Sequence, residues 1–435
     1  MSVLALPRPS WRALGVWIER RCDGPLLNSL LLLLLIACGV LLRAQHLGEP
    51  STFTFDEELF VSNAHNYLVG QPDLNDHPPL GKLLLGAGML AFGYNALGFR
   101  FASLCFGIQS LFVAYWLGRC LFRSERSGWF AAAFLAADGF FIAYSRVALL
   151  DGTLTCLVLA SLLSAVVAEG AGAVALCAIL VGLATSVKWS GAFVLLPVLA
   201  VLLLQRRVPR ASLLLFALSP AVHVGLWLLA LWLTDKPHDL RALFVTMRDL
   251  FLHHVEMGHR QNDLASPWYT WPLLYHPIVV KLWLHGRTQR YTSSAGNVLF
   301  WFPATLLVLG VPLLAALRRL PPLRLILNQR ARAALDALSL TPELIAAFAW
   351  FALLSPWIVG RGNYTFMYHY LPSYAFALVL LAGVVARLER THAEPVCAFV
   401  VLAALCFVYF APVWGDFSIT EAAANRRLLW KSWRP

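Results

Sequence analysis

Residues 26–45 read LLNSLLLLLLIACGVLLRAQ, a stretch in which Arg43 is the only charged side chain. A helix rises about 1.5 Å per residue, so about 20 apolar residues cross the hydrocarbon core of a bilayer. Arginines precede this run, as they would in a signal peptide, but no small-residue cleavage site comes before the acidic segment that follows. We therefore expect the run to remain as the first membrane-spanning helix.

Similar apolar runs recur along the chain. Of its 435 residues, 59% are hydrophobic and 13% are charged, whereas a soluble domain carries about 25% charged residues. Helices satisfy their own backbone hydrogen bonds in lipid, so this composition indicates an all-α polytopic membrane protein. We treat residues 1–435 as one integral-membrane domain. We expect about eleven spans, at 26–45, 95–120, 128–145, 148–168, 171–187, 190–205, 211–233, 297–317, 343–359, 366–386 and 395–414.

The net charge of +11 comes from basic residues in short loops between these spans. Every second loop is rich in arginine, which the positive-inside rule assigns to the cytoplasm, so no nucleic-acid partner is needed to explain the charge. This orientation places loops 46–94 and 234–296 outside the cytoplasm. The tail 415–435 also falls outside, although it carries four basic residues, and it is the one misfit.

Loop 46–94 holds the densest group of charges beside the membrane. Thr54 and Glu57 have the spacing of a capping box, which predicts a helix starting there. Asp56 and Glu57 would lie in its first turn, where the helix dipole favours ionised carboxylates. An apolar stripe predicts that this helix lies on the membrane surface: Phe60, Ala64, Tyr67 and Leu68.

Acidic residues in a first helical turn are also ordinary helix chemistry. The alternative that they form a functional site is favoured because His77 and Lys82 follow within the same loop. Charged groups near a bilayer are costly, and a cluster of them is a candidate functional site.

Further charged residues stand at the outer ends of the predicted spans. Arg146 and Asp151 could form a structural ion pair, or Arg146 could face an anionic ligand with Asp151 or Asp138 orienting it. Lys188 could bind the same ligand, or it could extend its ammonium group to the membrane surface. The last outer turn carries Arg361, followed by His369, which could be a ligand-binding residue or a packing residue.

Loop 234–296 is too long to lack structure in a compact protein. Its apolar stripe predicts a second amphipathic surface helix: Leu240, Phe244, Met247, Phe251 and Val255. Histidines 253, 254 and 259 could form a metal site, but no carboxylate at a suitable spacing completes one, and exposed histidines are the commoner case.

Five short motifs occur in a fixed order along the chain. The motifs are Phe55-Asp56-Glu57, His77-Pro78-Pro79-Leu80-Gly81-Lys82, Ser145-Arg146-x-x-Leu149-Leu150-Asp151-Gly152, Lys188-Trp189-Ser190-Gly191 and Tyr368-His369-Tyr370-x-Pro372. Together they resemble the protein O-mannosyltransferase family of the C-type glycosyltransferase superfamily, which also contains the lipid A aminoarabinose transferases.

The resemblance implies transfer of a sugar, mannose in that family, from a polyprenyl-phosphate carrier to an acceptor hydroxyl, with inversion and on the extracytoplasmic side. Asp56 resembles the acidic residue that engages the acceptor, with Glu57 beside it, and Arg146 resembles the family's motif arginine. Loop 234–296 has no room for the β-trefoil domain of eukaryotic members. We therefore expect a minimal bacterial relative in the inner membrane, and the acceptor could be a protein Ser/Thr, a lipid or a glycan.

The charged residues suit this chemistry, because a base must take the acceptor proton while cations stabilise the leaving phosphate. Asp56 and Glu57 are the candidate catalytic residues. Nothing in the sequence demands a metal, although these two carboxylates could hold a divalent ion. A secondary transporter of an anionic solute is the rival class, and it would show broken helices in midmembrane and internal repeats. The candidate residues for donor phosphate and substrate binding are His77, Lys82, Arg146, Asp151, Lys188, Arg361 and His369.

Overall fold

The structure is a computed structural model that describes residues 25–73, 76–205, 207–234, 236–258, 262–285, 288–318, 340–360 and 364–434. Helices dominate this part of the chain. The α-helices are α1 (Leu26–Ala44), α2 (Glu57–Val69), α3 (Pro79–Phe92), α4 (Ala96–Phe122), α5 (Glu125–Ala136), α6 (Gly139–Tyr144), α7 (Asp151–Val166), α8 (Gly170–Val187), α9 (Leu195–Gln205), α10 (Leu218–Leu233), α11 (Leu240–Met257), α12 (Val298–Leu317), α13 (Thr341–Val359), α14 (Leu371–Glu389), α15 (Ala393–Trp414) and α16 (Glu421–Arg427).

Eight helical segments in the described chain are long and apolar enough to cross a membrane. Three shorter apolar helical segments accompany them, at 79–92, 151–166 and 189–205. This architecture confirms the polytopic helical fold, while the number of eleven spans stays a prediction. The eight longer segments are Leu26–Ala44, Ala96–Phe122, Gly170–Val187, Arg210–Leu233, Val298–Leu317, Thr341–Val359, Met367–Glu389 and Ala393–Trp414.

Helix α14 forms the centre of the bundle. Its segment is 83% buried within the protein, against 44% or less for the other seven, and it contacts α4, α5, α7, α12, α13 and α15. The short 3₁₀ turn Met367–Tyr370 leads directly into it. Residues on that turn are therefore held against the most enclosed part of the fold.

The prediction of one continuous helix over 128–145 is wrong. The chain breaks at Asp138, which ends α5 and caps α6 by accepting a hydrogen bond from the Phe140 N–H at 2.9 Å. Its other carboxylate oxygen accepts the Asn297 N–H at 2.8 Å and the Tyr374 hydroxyl at 3.1 Å. These three hydrogen bonds satisfy a carboxylate that would be costly to bury without partners inside a continuous helix. Asp138 therefore determines the break.

The two predicted surface helices both form, but only one exposes its apolar stripe. In α11, Phe244 is 69% and Phe251 57% exposed, as a helix lying on a membrane requires. In α2, Phe60 and Tyr67 are only 3% and 4% exposed. The stripe of α2 packs into the protein core instead, so its predicted membrane-surface position is wrong.

A small antiparallel sheet, which the sequence patterns did not predict, joins the long loop to the tail. Strands β1 (Val279–His285) and β2 (Thr288–Ser293) pair with each other, and β3 (Ser418–Thr420) adds to the far side of β2. The Trp433 indole N–H also bonds the Leu274 carbonyl at 2.8 Å. The tail therefore lies on the same face of the bundle as loop 234–296, as the span count implied despite the basic residues.

Candidate active site

Asp56 lies directly before α2 and is the N-cap residue of that helix, yet its side chain makes no capping hydrogen bond. Instead, the Tyr368 hydroxyl donates a long hydrogen bond of 3.4 Å to Asp56 Oδ2. Partial burial raises the pKa of Asp56, and the Tyr368 hydrogen bond and the charge of Lys188 oppose that rise. The result is a half-buried carboxylate that is more basic than an ordinary aspartate.

The backbone just before Asp56 has an unusual conformation. Phe55 has a φ of 49°, in the left-handed region that bulky residues rarely adopt. Its ring packs edge-on against Tyr368, with centroids 5.8 Å apart. Such a conformation costs about 1–3 kcal/mol and persists only where surrounding contacts hold it. Tyr368 thus contacts both Asp56 and the residue that sets its direction.

A buried lysine faces the same tyrosine. Lys188 Nζ lies 2.7 Å from Asp151 Oδ2 and 5.1 Å from the centroid of the Tyr368 ring. Asp151 begins α7, so its carboxylate is fixed by a helix end. An ammonium group carries three donors, and Asp151 occupies one of them. Lys188 can therefore bind a further anion beside Asp56.

Three histidines surround this lysine. His77 stacks on Phe60, and its ring centroid lies 5.3 Å from that of His254. Burial, together with the charge of Lys188, lowers the pKa of His77 well below its usual value, so the imidazole is neutral near pH 7. His369 stacks on Trp357 at 4.0 Å and accepts the Phe366 N–H on Nδ1 at 3.2 Å.

Glu57 is fully buried and faces away from this group. Arg100 binds both of its oxygens at 2.8 Å, and the Ala148 N–H and both donors of Thr54 bind them at 2.9 Å. Burial raises the pKa of Glu57, but the Arg100 hydrogen bonds and charge outweigh it, so the pKa is lowered. The bond to the Thr54 N–H is one arm of the predicted capping box, although the helix starts at Glu57 and Asp56 is its N-cap.

Arg146 belongs to a second group of charges. It bonds the Leu42 carbonyl, and its Nη2 lies 3.6 Å from Asp416 Oδ2, which also binds Arg290 at 3.0 Å. The pair with Asp151 that the sequence suggested does not form, since Asp151 binds Lys188. Within the described residues, Arg146 Nε and Nη2 have no hydrogen-bond partner. The described contacts of Arg146 are therefore with Leu42 and Asp416, whereas Lys188 contacts Asp151.

Lys82 is also placed away from Asp56. It is fully buried and lies 2.5 Å from Asp73 Oδ2 and 3.6 Å from Asp76 Oδ1. These contacts tie the segment between α2 and α3 to the start of α3. Arg361 lies outside the described residues. The structure thus brings Asp56, His77, Asp151, Lys188 and His369 together.

Sequence reasoning missed two residues at this site, Tyr368 and His254, and a third beside it, Arg100. Tyr368 belongs to the last motif, but its neutral side chain is not one of the predicted catalytic or binding residues. His254 lies in the long loop, where the sequence predicts an exposed histidine. Arg100 lies inside a predicted apolar span, where a charged side chain requires a buried partner. Its position in the span is therefore the signal that could have identified it. His254 gave no such signal, because only the fold brings α11 beside His77.

The residues present offer little to a metal ion. Among the described residues, no group of three or more His, Cys, Asp or Glu side chains could hold one. The Glu57 oxygens face Arg100 and neutral donors, so they are poorly disposed to join Asp56 around a cation. The divalent ion considered for these two carboxylates is therefore not favoured by their contacts.

Comparison with known proteins identifies two matching family models. Residues 76–234 match "Dolichyl-phosphate-mannose-protein mannosyltransferase", and residues 240–433 match the "C-terminal four TMM region of protein-O-mannosyltransferase". Both models describe the same family. They follow each other along the chain in one continuous order and include every candidate residue except Asp56 and Glu57.

Individual proteins give a consistent result. The chain is 34% identical over 128 residues to the polyprenol-phosphate-mannose–protein mannosyltransferase of Mycolicibacterium smegmatis, covering 27% of this chain and 25% of that protein. The aligned part thus spans about a quarter of the relative's length.

Solved structures extend the similarity to the whole fold. The S. cerevisiae Pmt1-Pmt2 complex bound to the sugar donor matches with a TM-score of 0.74 and 12% identity, over 94% of this chain and 93% of that chain. ArnT from Cupriavidus metallidurans bound to undecaprenyl phosphate matches with a TM-score of 0.52 and 14% identity, over 91% and 77%. These structures share the fold, and the two family models, which match residues 76–234 and 240–433, show that the chain belongs to the protein O-mannosyltransferase family.

Proposed function

We propose that this protein transfers mannose from a polyprenyl-phosphate carrier to a Ser or Thr hydroxyl of an acceptor protein. The observation that carries the proposal is the half-buried carboxylate of Asp56, held by Tyr368 beside a buried lysine. The name of the M. smegmatis relative supports the donor and the acceptor class. A lipid or glycan acceptor is the alternative within the same superfamily.

The transfer is a single displacement with inversion. The acceptor oxygen forms a bond to the anomeric carbon, Asp56 takes the hydroxyl proton, and the bond between that carbon and the phosphate oxygen breaks. The electron pair leaves with the polyprenyl phosphate. A base and a departing phosphate on opposite faces of the sugar need a carboxylate and a cation that are close together but separated. Tyr368 separates the two here, because its hydroxyl binds Asp56 while Lys188 lies over its ring.

Lys188 is the proposed phosphate-binding cation. Its two remaining donors can bind phosphate oxygens, and a fixed cation stabilises the charge that grows on the leaving group. His77 and His254 can add neutral N–H donors to the same oxygens. Asp151 orients Lys188. His369 remains a candidate ligand-binding residue through Nε2, because its Nδ1 accepts the Phe366 N–H.

Glu57, Arg146 and Lys82 are proposed as positioning residues. Glu57 and Arg100 fix the backbone on both sides of Asp56, while Lys82 fixes the segment that carries His77. Arg146 holds the loop after α6 against the tail through Asp416. In the described part of the chain, the side chains of these three residues bind groups other than the Asp56 carboxylate. Each would therefore act on catalysis by keeping Asp56 or His77 in place.

The transporter alternative predicts broken helices, and the break at Asp138 has another explanation. A broken helix does occur at Asp138, as that class requires. However, three protein donors occupy the Asp138 carboxylate, so it is not available to a transported ion or solute. The break has a sufficient structural cause.

We further propose that the site faces the outside of a bacterial inner membrane. Described residues of loop 46–94, the β1–β2 hairpin and the tail contact one another, so these three share one side. The positive-inside rule assigns the arginine-rich loops of the sequence to the cytoplasmic side. An impermeant thiol reagent should label a cysteine introduced at Asp263, which is exposed, in spheroplasts with an intact inner membrane. Labelling only after that membrane is opened would reverse this orientation.

The central experiment replaces Asp56 by Asn, which keeps its size and removes its basicity. Purified protein is supplied with radiolabelled polyprenyl-phosphate mannose and a Thr-containing peptide, with other polyprenyl-phosphate sugars in parallel. We expect Asp56→Asn to lower turnover by about 10²–10⁴-fold, as for the loss of a general base.

Glu58→Gln is the matched control, since Glu58 is an acidic residue two positions after Asp56 but is exposed in the first turn of α2. It should leave turnover unchanged. Both variants must elute as a single species from size exclusion. Full turnover in a well-folded Asp56→Asn protein would refute the proposed base, and absence of any transfer by the wild type would refute the proposed function.

A further inference from the structure

A groove of about 410 Å³ runs between the segment before Asp56 and strand β1. Residues 50–55 line one side, and residues 279–283 line the other. Phe55 is one of the lining residues, so the proposed base is the next residue along the chain. None of the side chains assigned to the donor phosphate lines it.

Strand β1 is an outer strand of the sheet. The order β1–β2–β3 gives it a neighbour on one side only. Among the described residues, no backbone hydrogen bond joins β1 to residues 50–55 across the groove. Alternate N–H and C=O groups of an outer strand point away from its partner, so those of β1 are free to pair with another extended chain.

The opposite wall is held in place mainly by Arg100, which lies outside the sheet. Arg100 donates to the carbonyls of Leu47 and Pro50 at 3.0 and 2.9 Å and to that of Thr52 at 3.1 Å. The same guanidinium binds Glu57. The groove therefore stays open because one arginine fixes the wall next to Asp56, and Lys281 binds the Glu49 carbonyl at 3.2 Å at one end.

We propose that an extended segment of the acceptor protein binds in this groove as an additional strand beside β1, and so delivers its Ser or Thr hydroxyl to Asp56. The inference rests on the proposed function and adds the acceptor site to it. Five residues of β1 line the groove, and a strand advances about 3.3 Å per residue, so it accommodates about four or five acceptor residues. Pairing through main-chain groups makes recognition largely independent of the acceptor sequence.

The proposal predicts an alternating response to backbone methylation. A Thr-containing peptide that the wild-type protein glycosylates is prepared with single N-methyl groups at successive positions on one side of the Thr. Methylation of an amide that faces β1 removes one hydrogen bond and should raise the acceptor KM about tenfold. Methylation at the adjacent positions should have little effect, so the KM values should alternate along the peptide. A uniform response, or no response, would overturn the proposal.

A protein variant provides the second test. Ser51 is exposed and lines the groove, so Ser51→Trp should raise the peptide KM at least tenfold while the affinity for polyprenyl-phosphate mannose stays unchanged. Gln71→Trp is the control, because Gln71 is exposed but lies outside the groove. An unchanged peptide KM in Ser51→Trp would overturn the groove assignment.

The outcomes separate this proposal from the proposed function. Wild-type protein that transfers mannose to the peptide, with no effect of Ser51→Trp, would retain the function and reject the groove. If Ser51→Trp instead changed the oligomeric state or lipid content of the purified protein, a second copy or a lipid would be the occupant, and the acceptor proposal would fail.

Discussion

The pair formed by Glu57 and Arg100 should be the main support of the segment that carries Asp56. Glu57→Gln replaces one carboxylate oxygen by an NH₂ group. This group cannot accept the hydrogen bonds that Arg100 or Thr54 donates to the oxygen. Breaking one partner of a buried ion pair costs about 3–5 kcal/mol, because the other charge remains buried without compensation. We expect the free energy of unfolding to fall by that amount.

The assay is equilibrium unfolding of the purified protein in mixed micelles, with Arg100→Met and the double variant measured in parallel. Because the two residues share one interaction, the double variant should cost clearly less than the sum of the single variants. Glu58→Gln should stay within about 0.5 kcal/mol of the wild type. Additive costs for Glu57→Gln and Arg100→Met would refute the reasoning, since they would show that the two side chains stabilise the fold independently.

Two further predictions concern Asp56 and Lys188. Since the pKa of Asp56 is raised in the folded protein, the folded state binds its proton more tightly than the unfolded state, and Asp56 costs stability once pH exceeds its unfolded pKa of about 3.9. Asp56→Asn should therefore stabilise the protein at pH 7, with the gain vanishing at low pH; thermal unfolding at both pH values checks this, and equal stability at pH 7 would contradict it. Lys188→Met should lower turnover and the affinity for the polyprenyl-phosphate donor together, measured by donor titration, whereas a purely structural lysine would leave the donor affinity of the folded fraction unchanged.

The sequence predicted well those features that depend on local pattern. The apolar runs and the helix over residues 240–257 follow from side-chain periodicity, which a helix determines over a few turns. The motif order also indicated which segments supply the site, and Asp56, His77, Asp151, Lys188 and His369 do lie together. Their proposed roles remain predictions.

Partner choice could not be predicted from local pattern. Asp151 binds Lys188, whereas Arg146 binds Asp416 in the tail, although Arg146 and Asp151 are close in sequence. The opposite orientations of the stripes in α2 and α11 depend on what each helix meets. Periodicity shows that a stripe is buried in something, and it does not distinguish protein core from lipid.

The position of Asp416 has a consequence for biosynthesis. Arg146 and Arg290 share this carboxylate, and β3 follows it, so their counter-ion is made only after helix α15. A ribosome adds about 5–20 residues per second, and the stretch from Arg290 to Asp416 therefore takes about 6–25 s to synthesise. Throughout that interval the two guanidinium groups have no Asp416 to bind, and β2 lacks its outer neighbour. We expect the nascent chain to remain open on this face, and to become competent for catalysis only when the segment that carries Asp416 and β3 has docked.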